Sequence, residues 1–210
     1  MPATYGNFLA GRNRADNMIF GQAHPIDVEL LITPDLLKMI VTRKMHLAIV
    51  PHHLEAENLL ALEKGLREKI ALAGLGPSLN FCVVTPTMEE RMSFDPPLIT
   101  LVAIKGMLCE FFTQFSVSYI GGGHGRSIHS ELEPYMAGCN IICGPKVHRS
   151  TEYDYVKAMD RKRIEVARTS QDFFQALAGF LPHQKGDEEA CVEENKKNWK
   201  AFAQDLEGLC

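Results

Sequence analysis

From Tyr119 to Pro145 the chain reads YIGGGHGRSIHSELEPYMAGCNIICGP. Three consecutive glycines, Gly121, Gly122 and Gly123, close an apolar run, and His124, His129, Glu131 and Glu133 follow within ten residues. A glycine-rich turn between a strand and a helix lets backbone amides come close to an anion, and the helix N-terminus behind it adds a favourable dipole. Ser127 or Ser130 is placed to cap the following helix, with Glu133 in its first turn. A carboxylate there, aimed back at the turn, can accept both hydrogen bonds of a ribose diol. Taken alone, the same residues also fit a simple N-cap with solvated glutamates, and His124 and His129 fit satisfied surface residues. Pro134 inside the segment implies a short or kinked helix.

Two phosphate-binding alternatives fail on spacing. A GxGxxG pattern begun at Gly121 needs its third glycine at Arg126, and one begun at Gly123 needs it at Ile128. The next strand ends in GPKVH, with no acidic residue to hold a ribose hydroxyl. No GK[ST] occurs anywhere, which removes a P-loop.

The glycine stretch must be positioned by the elements around it. Short β-rich runs occur at 18–23, 46–51, 80–85, 98–103, 117–122, 140–145 and 163–168. Helical patterns separate them, among them VELLITPDLLKMIV (broken or restarted at Pro34), EAENLLALEKGLREKIALAG and MLCEFFTQF. This alternation predicts βαβ units, hence an α/β, Rossmann-like and mostly parallel sheet with helices on both faces. Ligands of such sheets bind beyond the C-terminal strand ends. The chain keeps its Gly, Pro and His there, in GQAHP, VPHH, YIGGGHG and ICGPKVH. Residues 86–97 form a polar, proline-marked connection read as a mobile loop.

Composition narrows the function classes. A length of 210 residues suits one domain with a sizeable core, and 46% hydrophobic with 23% charged residues is that of a soluble globular protein. The net charge of −4 gives no electrostatic case for nucleic acid. No apolar stretch is long enough to span a membrane, and the N-terminus lacks a signal segment, so the expectation is a cytoplasmic protein with no integral membrane segment. The six cysteines are scattered and are read as free thiols in a reducing compartment. The histidines are dispersed along the chain with no carboxylate pair at ligand spacing, so no metal site is expected.

The glycine turn, the His-Ser-x-Leu-Glu-Pro segment and the strand closing in Gly-Pro together resemble the C-terminal half of the 3-deoxy-D-manno-octulosonic acid (Kdo) transferases, two-domain GT-B glycosyltransferases that use CMP-Kdo. The resemblance is strong from Gly121 to Pro145, and family order extends it from about Met18 to Leu181. FGQAHPIDVELL is similar to the family's Gly-Ser-Thr-His segment, with Gly21, His24, Asp27 and Glu29 in place. VPHHLE is similar to its Pro-Arg-His-Pro-Glu segment, with Pro51, His53 and Glu55 in place. The resemblance implies a nucleotide-sugar site in which Gly122 and Gly123 admit the CMP phosphate or the sugar. It also implies that His129 lies near the phosphate, Ser130 donates a hydrogen bond where the family has Asn, and Glu133 holds the cytidine ribose. Gly144 and Pro145 would floor the base, and Gly21, His24, Pro51, His52 and His53 would face the same crevice. CMP-Kdo would serve as donor substrate, with no further cofactor.

Departures are as informative. Gln22 and Ala23 replace a Ser-Thr pair, His52 replaces an arginine, and Ser150 stands where an aromatic is common. Histidine, largely neutral at pH 7, cannot grip an anion as arginine does. The family's N-terminal half, with the acceptor site and the catalytic base, has no counterpart here, so no catalytic residue is expected in this chain. The chain divides into a nucleotide-sugar-binding domain at 1–183 and a tail at 184–210, where Trp199, Phe202, Leu206 and Leu209, spaced three, four and three apart, predict an amphipathic helix with one apolar stripe. That helix would pack on the domain or on a partner, either a second copy or a separate acceptor-domain protein that holds the chain at the inner membrane. A non-catalytic binding or assembly module, and more remotely an epimerase-like domain, are the alternatives.

Overall fold

The computed structural model describes residues 2–87, 94–148 and 150–181. All seven expected strands are present: β1 (Asn17–Ala23), β2 (His46–Pro51), β3 (Asn80–Val84), β4 (Leu98–Val102), β5 (Val117–Ile120), β6 (Asn140–Cys143) and β7 (Ile164–Val166). They form one sheet in the order β3-β4-β2-β1-β5-β6-β7, with every pair parallel. The strands after β1 build outward on one side as far as β3, and the chain then returns to lay β5 against the other side of β1. The switch point therefore lies between β1 and β5.

Alternate side chains of the central strands feed two cores. Met18, Phe20, Leu47 and Ile49 pack beneath α2 (Pro25–Leu31), α3 (Pro34–Arg43), α4 (Ala56–Leu72) and α8 (Ser170–Phe180). Ile19, Ala48 and Val50 pack beneath α1 (Ala3–Ala10), α5 (Leu108–Phe112), α6 (Leu132–Met136) and α7 (Thr151–Met159). Both faces are thus covered, as near-continuous apolar strands require.

Pro34 acts as expected. It closes off α2 and opens α3, where the Thr33 hydroxyl accepts from the Leu36 amide at 3.3 Å. Helix α1 was not expected from the lead-in, because only Tyr5 and Leu9 of its eight residues are buried. Its anchor is the fully buried Tyr5 hydroxyl, 3.1 Å from His46 Nε2 and 2.8 Å from Thr100 Oγ1.

One irregularity matters for the site. Phe20 pairs with Ile49 but Ala23 pairs with Pro51, so β1 carries one extra residue at its C-terminal end. Gln22 absorbs it at φ 52°, in the left-handed region. The tail helix expected at 184–210, with its stripe, lies outside the described residues, as does the middle of the 86–97 connection.

Candidate functional site

The ends of β1, β2 and β5 bring three loops together at the switch point. Asp27, in the first turn of α2, ties two of them. It is fully buried, and its Oδ2 accepts from the His24 amide at 2.9 Å and the Gly122 amide at 3.0 Å. Its Oδ1 accepts from the Tyr119 hydroxyl at 2.7 Å. The third loop is joined by the His52 amide, which donates to the Ala23 carbonyl at 3.0 Å.

On this framework the histidines converge. The Nε2 atoms of His24 and His129 are 2.9 Å apart, with the rings end to end and parallel within 2°. The His52 ring lies across both, at centroid distances of 4.9 Å from His24 and 4.1 Å from His129. His53 stands edge-on to His52 at 4.5 Å. Dispersal along the sequence is therefore not dispersal in space: the parallel topology gathers three strand ends, and one ligand atom from each of His24, His52 and His129 falls within 4.8 Å of the others.

These imidazoles are held neutral. Burial lowers the pKa of His24, against the opposing charge of Asp27, and burial with the neighbouring His24 and His53 rings lowers that of His52. His129 is pushed down to about 4 by burial, then by His52 and His24.

The glycines have mainly steric work. Gly122 lies at φ 91°, and a Cβ there would sit 2.3 Å from the Ser127 carbonyl and 3.2 Å from His129 Nε2. Its amide goes to Asp27 and not outward. Gly123 and Gly144 touch backbone to backbone, each leaving 2.7 Å or less for a Cβ against the other. Gly21 makes room for the Phe112 ring, and Gly121 passes so close to the Gln22 carbonyl that a Cβ would lie at 2.1 Å. The Lys146 ammonium bonds the Gly125 carbonyl and closes the turn over the end of β6.

The helix expected directly behind the glycines begins only at Leu132 and has five residues. Neither Ser127 nor Ser130 caps it. Ser130 instead donates to Glu152 Oε2 at 2.7 Å, which also accepts from the Leu132 amide at 3.2 Å. A cavity of about 250 Å³ opens beside His129, lined by Ser127, Ser130, Ser150, Thr151 and Glu152 among others. Glu133 is half-buried on α6, with its pKa raised by burial and by the charges of Glu152 and Glu110. Pro51 is buried at the end of β2, whereas Pro145 is exposed.

Sequence reasoning missed Glu131 and Glu152. Glu131 is fully buried, accepts from Ser150 Oγ at 2.7 Å, and has its pKa raised to about 7 by burial. The available signal was Ser150 followed by Thr-Glu, an N-cap that puts Glu152 in the first turn of α7. Cys82 and Cys143 are buried free thiols and Cys109 an exposed one, while the buried Cys139 donates to the Phe112 and Phe115 carbonyls. Among the described residues no helix is long and apolar enough to cross a membrane.

No protein-family model and no curated protein matches this chain. Solved structures do. The chain is similar, at 15% identity and a TM-score of 0.61, to the C-terminal CMP-Kdo binding domain of WaaA from Acinetobacter baumannii, over 93% of this chain and 91% of that one. It is also similar to the α,α-trehalose 6-phosphate synthase of Burkholderia multivorans (12% identity, TM-score 0.54) and to the trehalose-6-phosphate synthase OtsA (10%, 0.54). It covers 98% and 99% of itself in these two matches, but only 45% and 47% of the synthases. At these identities the likeness establishes the fold: a Rossmann-like α/β domain on an all-parallel seven-stranded sheet.

Proposed function

We propose that this chain binds a nucleotide-activated sugar, of the CMP-Kdo class, at the C-terminal ends of β1, β5 and β6, and serves as the donor half of a glycosyl transfer. The observation that carries the reading is the meeting of the switch-point loops with the cavity beside His129. His129, Ser130 and Glu152 line one wall of it, at the edge where a Rossmann-like sheet takes its ligand. Neutral imidazoles at the crevice would donate hydrogen bonds to a phosphate without adding charge, and Glu152 supplies carboxylate oxygens for hydroxyls of a ribose or sugar. The chain's part would be to orient the sugar and stabilise the departing CMP. The base that deprotonates the acceptor would come from a partner domain across the cleft. This reading places the chain in the cytoplasm, held at the inner membrane only through such a partner.

Calorimetric titration of CMP into the EDTA-treated full chain tests the reading, with UMP as the competitor class. Saturable CMP binding that falls at least about tenfold in Glu152→Ala is expected. No heat from CMP with an intact fold rejects it. A second reading, a binding or assembly module without transfer, is favoured by one feature: His52, where the resembling family has arginine, is held neutral and supplies no fixed cation for a phosphate. CMP binding without CMP-Kdo turnover in the presence of any acceptor domain would separate the two.

A further inference from the structure

We infer that His24, His52 and His129 form a site for a divalent transition metal of the zinc class. The inference concerns the imidazoles alone and does not rest on the nucleotide reading. A tetrahedral zinc bonded at about 2.0–2.1 Å holds its ligand nitrogens about 3.3 Å apart. The three ligand atoms already lie within 4.8 Å of one another, and two of them are at 2.9 Å. For the three to share one centre, the His24–His129 contact must open and His52, the exposed member, must swing inward.

Hydrogen bonds that involve no imidazole tie the three loops together. The His24 and Gly122 amides share Asp27, and the His52 amide holds Ala23. The donor set selects the metal. Three neutral imidazoles suit zinc, cobalt, nickel or copper, whereas calcium and magnesium demand oxygen ligands. Three protein ligands leave a fourth position for water or a ligand oxygen, as in metal sites that act on bound molecules.

A second observation points to a cation. The Asp27 carboxylate, fully buried, takes only neutral donors, and among the described residues no ion pair reaches it. Its charge acts on His24 and His129. A bound dication would balance this buried charge. On binding, the imidazole that now donates through Nε2 would carry its proton on Nδ1 instead, so that Nε2 is free to ligate and no net proton is lost.

The test is Co²⁺ titration of the full chain after EDTA treatment, followed by visible absorption and by displacement with Zn²⁺. One Co²⁺ per chain with the intense spectrum of a four-coordinate site is expected. Affinity should fall at least about tenfold in His24→Ala, His52→Ala and His129→Ala, and less than about threefold in His53→Ala. His52 is exposed, so His52→Ala keeps its fold and carries the test if the other variants do not. Absence of a four-coordinate spectrum, survival of the spectrum in His52→Ala, or an equal loss in His53→Ala overturns the assignment.

Discussion

The Nε2 atoms of His24 and His129 meet at 2.9 Å although 105 residues separate them in sequence. At that distance one nitrogen donates and the other accepts, since two facing lone pairs repel and two facing protons clash. Both rings are neutral at pH 7, because burial lowers both pKa values, that of His129 to about 4. Long-range ¹⁵N NMR of the metal-free chain should therefore show opposite tautomers for the two rings. The contact should break only as the pH falls toward 4. An imidazolium signal from either ring at pH 7 would contradict this arrangement.

Asp27→Asn should loosen the glycine turn. The amide nitrogen must face either the Tyr119 hydroxyl, whose proton then loses its acceptor, or the His24 and Gly122 N–H groups, which share Oδ2. Losing a buried, charge-assisted bond costs about 2–3 kcal/mol, which urea unfolding will read. Amide exchange at Gly122 should accelerate beyond that global change.

Gly122→Ala and Gly179→Ala make a matched pair. At Gly122 a methyl group meets the Ser127 carbonyl at 2.3 Å on a left-handed backbone, whereas at Gly179 nothing lies within 4 Å. The first should destabilise by roughly 3 kcal/mol or more. The second, inside α8, should leave stability unchanged or raise it by about 0.5–1 kcal/mol. Equal melting temperatures for the two would refute the close packing at the turn.

Acid sensitivity should centre on His46. Burial pushes its pKa from 6.5 to about 3, so the folded state refuses a proton that the unfolded state accepts. Stability from this source is complete above about pH 6.5 and lost progressively as the pH falls toward 3. The slope should flatten in His46→Gln, by on the order of several kcal/mol between pH 7 and pH 3. Chemical denaturation across that range compares the two proteins, and parallel curves would reject the assignment.

The strands were legible because each is a short apolar run bounded by Gly, Pro or polar residues, a pattern that a doubly covered parallel sheet imposes on every strand. Pro34 announced its helix break just as plainly. Helix α1 was not legible, since what holds it is one tyrosine reaching His46 and Thr100, partners 41 and 95 residues away. For the same reason the site was legible loop by loop but not as a cluster. Periodicity places His24 and His52 at strand ends, with His129 behind the glycine turn after β5, but only the strand order makes β1 neighbour to both β2 and β5. Asp27 looked like an ordinary first-turn acid of α2; burial at the switch point makes it the knot between two loops. The helix expected behind the glycines fell short because the Gly122–Asp27 and Gly123–Gly144 contacts keep the chain in turns until Leu132.

The extra residue in β1 carries a lesson about chain length. Side chains on a strand alternate faces, so a shift of one position exchanges inside for outside. Gln22 takes up the shift with a backbone twist, and everything after it is aimed accordingly. A variant lacking Gln22 would keep every histidine in the sequence yet turn His24 away from its companions. Composition would be nearly untouched and the constellation gone. In this fold, counting residues between a strand and its following helix is as much a part of the chemistry as choosing them.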